Sequence, residues 1–333
     1  MRNDKMKPIF IGVAAVLLVV LGVVIGISIV KQNEASKEPT QDVYVPTESE
    51  NMKNHPMYDR DIDTVLFLGV DSREGLLGKG TDSDSIIAVV INHDLKTVKV
   101  ASLLRDCMVQ VEGQGLQKLK RANYYGGPKL AMDTINENFD LDVSEYVEIN
   151  FENLVSLVDS VGGIDIELTQ VECGKPGLEG FKKAGTYTLN GKEALAYSRL
   201  RKLAGEDRAR SERQRNVLFA LFEKAKKMST DESLELVEEM FDQIDTSYRE
   251  EEMAELLYYI SRYEITGMNA FPLVYFDGLV EELWYEVPTT LIDMNTALHE
   301  FLYDYKEYEP SEAVQKQNEV LQGIAAEPNL DYR

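Results

Sequence analysis

Between Ile9 and Val30 the chain runs for 22 residues without a charge, IFIGVAAVLLVVLGVVIGISIV. A helix needs about 20 apolar residues to cross the hydrocarbon core of a bilayer, so this run is long enough to span one. A secretory leader has a shorter apolar core, about 7 to 15 residues, followed by a small-residue cleavage site. Here the run is longer, and its exit from Ser28 to Gln32 carries no A-x-A pattern. The reading is an uncleaved anchor. Arg2, Lys5 and Lys7 precede the span, while Lys31 and Lys37 follow it. The small excess of positive charge places the short end in the cytoplasm. Everything beyond Val30 is then expected outside the cell.

This gives residues 1–8 as a cytoplasmic tail and 9–30 as the transmembrane anchor. Residues 31–59 contain Pro39, Pro46 and Pro56 and no apolar periodicity, as expected of an extracellular linker. From residue 60 the pattern changes. Short β-branched apolar runs at 64–70, 85–92 and 97–104, and an alternating run at 163–168, predict strands. Helical patterns are expected at 127–139, 151–161, 211–228, 232–244, 251–263 and 289–305. Strands alternating with helices, then helices dominating, predict one α/β domain over 60–308 with a central sheet flanked by helices. Residues 309–333, with Pro310 and Pro328, are expected to be a flexible tail.

The charge balance narrows the partners. With 58 acidic against 35 basic residues the net charge is −23, and a surface that acidic repels nucleic acid. A polyanionic ligand must be held at a local exception. One such exception is plain: Arg199, Arg201, Lys202, Arg208, Arg210, Arg213 and Arg215 crowd into a short stretch. Arginine presents a planar fork that grips phosphate oxygens in a bidentate way, which lysine cannot do. A helix starting near Asp207 would put Arg210, Arg213 and Gln214 on one face. The competing reading is a solvated helix surface paired with Glu206, Asp207 and Glu212.

A second cluster is acidic. Asp71 follows the first strand, and Asp82 and Asp84 precede the second. Carboxylates at the ends of adjacent strands can meet in one crevice and suit a hard, partly hydrated cation such as Mg²⁺. Turn capping is the alternative use of these residues. Arg105 ends the third strand, and a turn from Lys118 to Pro128 leads into a helix. Cys107 and Cys173 are the only cysteines, read as two separate thiols rather than a disulfide framework.

Taken together, Gly69-Val-Asp-Ser-Arg, Ser83-Asp-Ser, Leu104-Arg-Asp, Tyr124-Tyr-Gly-Gly, Val158-Asp-Ser-Val-Gly-Gly-Ile and Ala194-Leu-Ala-Tyr-Ser-Arg-Leu-Arg resemble the LytR-CpsA-Psr family of cell-envelope proteins. So does the spacing Asp207-x-x-Arg210-x-x-Arg213-Gln214. The resemblance implies a mixed α/β domain with a groove for polyprenyl diphosphate lipids. Its implied activity is Mg²⁺-assisted transfer, with Mn²⁺ as an alternative, of a lipid-linked glycopolymer such as teichoic acid or polysaccharide to peptidoglycan. Pyrophosphatase chemistry is an implied side activity. The location implied is the cell membrane of a Gram-positive type envelope, single-pass, with the large domain extracellular. Carried over by position, Arg105, Arg199, Arg201 and Asp207 would be catalytic, and Arg73, Arg210, Arg213 and Gln214 substrate-binding. Asp71 and Asp84 would hold the metal. A non-catalytic prenyl-phosphate-binding scaffold or regulator, of the transcriptional attenuator type, is the alternative. Three positions depart from the family pattern: Asp82 stands where Arg is common, Leu104 where Pro is common, and Cys107 where Thr is common.

Overall fold

The computed structural model describes residues 61–72, 75–200, 206–249, 252–253, 262–326 and 330–332. The apolar run 9–30, the linker 31–59 and the tail 1–8 lie outside the described residues. Among the described residues, no helix is long and apolar enough to cross a membrane.

The centre is a six-stranded mixed sheet. β1 (Ile62–Val70) pairs antiparallel with β2 (Ser83–Asn92), and β2 pairs antiparallel with β3 (Thr97–Leu103). On the far side β1 pairs in parallel with β6 (Glu145–Asn150), which meets the two-residue β9 (Asp245–Thr246). β10 (Glu264–Phe271) closes the other edge in parallel with β3. The spatial order is β10-β3-β2-β1-β6-β9. Smaller two-stranded sheets are β4 (Met108–Val111) with β5 (Gly115–Lys118), and β7 (Ile164–Leu168) with β8 (Gly185–Leu189). β11 (Tyr275–Val280), β12 (Leu283–Pro288) and β13 (Leu330–Tyr332) form a three-stranded sheet in the order β12-β11-β13.

Alternation along the central strands divides the core in two, because successive side chains leave a strand on opposite faces. Val65, Phe67, Ile87 and Val89 face one cluster, where α2 (Phe151–Ser160), α3 (Gly191–Ser198), α4 (Glu206–Ala225) and α5 (Thr230–Met240) pack. Leu66, Leu68, Ile86 and Ala88 face the other, covered by α1 (Lys120–Phe139), α6 (Leu291–Tyr303) and α7 (Glu312–Ala325). Both faces are apolar, which is why the strands read as continuous hydrophobic runs.

Several expectations are met, with local shifts. α2 starts after Asn150, whose side chain accepts from the Asn153 N–H and caps the helix. The expected helix from 127 begins at Lys120 instead and breaks at Gly127, whose φ of 76° and ψ of −170° are not helical. β2 starts at Ser83, so Asp84 lies within a strand rather than in the turn before it. Of the helix expected at 251–263, residues 251 and 254–261 lie outside the described residues.

Two expectations fail. The stretch read as mainly helical after Ile244 instead contains β10, β11 and β12. The β11–β12 hairpin turns through Glu281 and Glu282, both with positive φ, at 48° and 72°. Such turns usually announce themselves by Asn-Gly or Asp-Gly, and two glutamates give no such signal. The supposed loose tail is the second failure. α7 buries Val314 and Leu321 against the core. Asp140 accepts hydrogen bonds from the Tyr308 hydroxyl at 2.6 Å and the Ser311 N–H at 2.9 Å. The apolar spacing of Val314 and Leu321, one every seven residues, is the helical signal that Pro310 and Pro328 obscured.

Candidate active site

The carboxyl end of β1 and the amino end of β2 open onto a polar cleft. It is lined by Asp71, Asp82, Asp84, Arg105, Lys120 and Arg121, with the Gly80–Thr81 turn and Tyr124 as walls. Arg105 leaves the corner after β3 and donates to Asp84 at 2.6 Å, while its Nε lies 3.3 Å from Asp106. Burial alone would raise the Asp84 carboxyl. The charges of Arg105, Arg210 and Lys120 overcome that and hold it below the usual carboxylate value. Asp84 is therefore ionised at neutral pH.

Asp71 pairs with Arg199 at 3.6 Å, and the Arg199 guanidinium also lies over the Phe151 ring, 4.4 Å from its centre. Asp82 is neutralised by Arg121 at 3.0 Å and Lys120 at 3.4 Å. Arg121 in turn stacks on Tyr124 at 3.7 Å. Asp82 therefore leaves no uncompensated negative charge in the cleft, because two cations face it. The basic run at Lys118–Arg121 was the signal for this, although no site role was read from it.

A buried network that the sequence does not announce holds the cleft wall. Glu148 on β6 is fully buried. It accepts from the Gly78 N–H and from the Asn123 side chain. Asn123 also donates to the Thr81 carbonyl at 3.1 Å, and the Gly80 N–H donates to the Tyr124 carbonyl at 3.0 Å. Burial pushes Glu148 up to about 7, opposed by its hydrogen bonds from Gly78 and Asn123. Gly127 lets this wall close: its φ is 76°, and a side chain there would meet the Lys79 backbone at 3.4 Å.

Beside the polar cleft lies an apolar cavity of about 80 Å³ between the sheet, α2 and α4. Phe67, Ile87, Phe151, Leu154, Leu218 and Leu221 line it. Gly69 and Ser85 belong to its lining, while Asp71 and Asp84 line the cleft. Polar cleft and apolar cavity therefore lie side by side at the same ends of β1 and β2.

The arginine-rich stretch does not act as one face. Arg213 is buried and donates to Glu172 at 2.7 Å and to the Leu200 carbonyl at 3.3 Å, so it braces α4 to the loop after β7. Arg215 donates to Ser102 at 2.9 Å inside the core, and Arg208 donates to the Pro272 and Leu273 carbonyls. Arg210 is buried near enough to Asp84 to lower its pKa, whereas Gln214 lines the apolar cavity. Arg73 and Arg201 lie outside the described residues, and Asp207 is described only as part of the α4 backbone. The solvated-surface alternative fails for Arg213 and Arg215, which are buried braces, and for Arg210, which is buried; Arg208 is half-buried.

The LytR_cpsA_psr family model matches residues 26–298. The chain belongs to the LytR_cpsA_psr family. It is 34% identical over 239 residues to the polyisoprenyl-teichoic acid–peptidoglycan teichoic acid transferase TagT of Bacillus subtilis, covering 69% of this chain and 73% of that protein. It is 33% identical over 224 residues to TagU of Enterococcus faecalis, a transferase of the same description, covering 66% and 72%. Among solved structures, TagT bound to LIIa-WTA superposes with a TM-score of 0.61 at 28% identity, over 73% of this chain and 91% of that one. TagT (YwtF) with bound octaprenyl pyrophosphate lipid superposes with a TM-score of 0.57 at 27% identity, over 73% and 90%. The α/β fold with a mixed central sheet is thus that of LytR_cpsA_psr proteins.

Asp71 and Asp84 offer two carboxylates to one cleft, and both already face arginine. No group of three or more His, Cys, Asp or Glu suited to a metal occurs among the described residues. That donor set is too small to cage a cation alone. It fits Mg²⁺ that keeps water and completes its shell with phosphate oxygens.

Proposed function

We propose that this chain is a membrane-anchored extracellular phosphotransferase that moves a polyprenyl-diphosphate-linked glycopolymer onto peptidoglycan. The observation that carries this reading is the side-by-side placement of an arginine–aspartate cleft and an apolar cavity at the same strand ends. A lipid diphosphate is a ligand with a charged head joined to an apolar tail, and it would need both. The names of the relatives TagT and TagU support the transfer of teichoic acid, and the bound lipid in a TagT structure supports the tail.

In the proposed reaction an acceptor hydroxyl of peptidoglycan attacks the polymer-bearing phosphorus. A new phosphodiester forms, the bridging P–O bond breaks, and prenyl monophosphate leaves. Arg105 and Arg199 would neutralise the phosphoryl oxygens, a role the family resemblance gives to Arg201 as well. Phosphoryl transfer depends mainly on such positioning and charge neutralisation. Asp71 and Asp84 would hold Mg²⁺ or Mn²⁺, which supplies further charge to the diphosphate. The run 9–30 would tether the domain beside its lipid substrate in a Gram-positive type envelope.

Mass spectrometry of lipid co-purifying with the detergent-solubilised chain tests the reading; polyprenyl diphosphate or its glycosylated form is expected. Arg199→Lys with Arg201→Lys should lose prenyl diphosphate binding, because lysine keeps the charge but not the fork. Wild-type affinity in that double variant would remove the clamp. A reporter that works only after export, fused after Arg333, should be active.

A further inference from the structure

A second groove begins where the cleft ends. It lies between the loop that follows β7 and the helix α3, with Lys175 on the loop, Lys192 on the helix and Arg199 at the end of the helix. Pro176, Leu195 and Ala196 make up its floor. The two walls approach closely. Gly177 has a φ of 81°, and a side chain there would come within 2.3 Å of the Ala196 Cβ. Arg213, bound to Glu172, anchors the base of the same loop.

The charge of this groove runs against the whole molecule. The chain carries −23, yet three cations line one narrow surface. The carboxylates nearby have other partners: Glu172 has Arg213, Glu193 accepts from the Asn190 N–H at 2.9 Å to complete the capping box of α3, and Glu179 accepts from the Gly177 and Glu179 backbone. Arg199 belongs to both surfaces, since it also pairs with Asp71 of the polar cleft. Basic groove and cleft are thus joined through a single side chain. An anion that leaves the cleft past Arg199 meets Lys192 and Lys175 next.

We propose that this groove binds the polyanionic part of the donor, a polyol-phosphate chain continuing outward from the diphosphate. This rests on the phosphotransferase reading for the cleft but can be tested without transfer. Lysines placed along a groove, with no arginine fork beyond Arg199, suit repeated phosphodiesters held by point charge rather than one phosphate held in fixed geometry. An electrostatic groove of this kind selects polymers by charge and yields to salt.

The test uses the full chain in detergent and a soluble glycerol-phosphate oligomer that carries no lipid. Wild type should bind the oligomer, and affinity should fall as NaCl is raised. K175E/K192E should weaken oligomer binding more than tenfold, and K175Q/K192Q severalfold. Binding of a prenyl diphosphate that bears no polymer should change less than twofold in either variant, which also reports that the variants are folded. Absence of oligomer binding to wild type overturns the groove. So does unchanged oligomer binding in the folded variants, or equal binding of a neutral polysaccharide of the same length. If wild type transfers nothing but binds the oligomer through these lysines, the phosphotransferase reading fails and the groove stands.

Discussion

The two faces of the central sheet solve different problems with similar materials. On the face under α1, α6 and α7 the polar groups inside the core are tied to backbone. Asn136 brackets Val143 through its N–H and carbonyl, at 2.8 and 3.0 Å, and Asn138 does the same for Gln110, at 2.9 and 2.8 Å. His299 bonds the Phe139 carbonyl at 2.9 Å, and Asn295 bonds that of Asn138 at 3.0 Å. On the face under α2 and α4 the same kinds of apolar side chain stop short of close packing and leave a cavity. Interiors are normally close-packed, so a space lined by leucine, valine and phenylalanine beside a charged cleft is the place the proposed lipid tail would take. One face stabilises; the other receives.

The sharpest way to break this contrast is to remove residues 309–333. The loss of Val314, Leu321 and the Ser311 bond to Asp140 should cost about 5 kcal/mol, most of it from burial. A fall in Tm of roughly 10–20 °C is expected by calorimetry. A truncated chain that melts with the wild type would make α7 an ornament.

Substitutions at the cleft should separate activity from stability. Asp84→Asn and Asp71→Asn should each lower transfer by about 100-fold and abolish its response to added Mg²⁺. Arg105 keeps Asp106 as a partner at 3.3 Å, so Tm should move by only a few degrees. A variant that kept its Mg²⁺ response would remove that aspartate from the metal site. On the cavity side, Leu218→Trp should fill the space and weaken prenyl diphosphate binding by roughly tenfold, about 1.4 kcal/mol. Unaltered affinity would place the lipid tail elsewhere.

The pH response of Glu148 gives a smaller effect with a definite sign. Its folded pKa is raised to about 7, so its stabilising contribution is fully present below the unfolded carboxylate value. That contribution is lost as pH rises through about 7. Denaturation midpoints of Glu148→Gln should therefore vary less between pH 5 and 8 than those of wild type. An identical slope in both would assign the pH response to other groups. Smallest of all should be Asp82→Asn, with a change in transfer rate of less than about threefold. Arg121 keeps its stacking on Tyr124, and Lys120 stays within 3.9 Å of Asp106. A loss near 100-fold would show that Asp82, not Asp84, carries the metal role.

Much of the central sheet was legible, because β1, β2 and β3 are buried on both faces and read as unbroken apolar runs. β10 was not, since it lies at an edge and alternates through Gly267 and Asn269 with an exposed face. Asp71, Asp84 and Arg105 were legible from their place at strand ends. The burial of Arg213 and its pairing with Glu172 were not legible, because composition counts charge but does not show burial. Glu148 gave no signal at all: one acidic residue in Tyr146-Val-Glu-Ile-Asn looks like an outward strand position until Asn123 and Gly78 are seen to meet it.

The break at Gly127 divides α1 into two pieces with separate duties. Residues before it supply Lys120, Arg121 and Tyr124 to the cleft and Asn123 to the wall behind it; those after it supply Met132, Ile135 and Phe139 to the sealed core. A continuous helix would couple the two, since rotating one end turns the other. The interruption at Gly127 lets the first segment take its direction from the cleft and the second from the core.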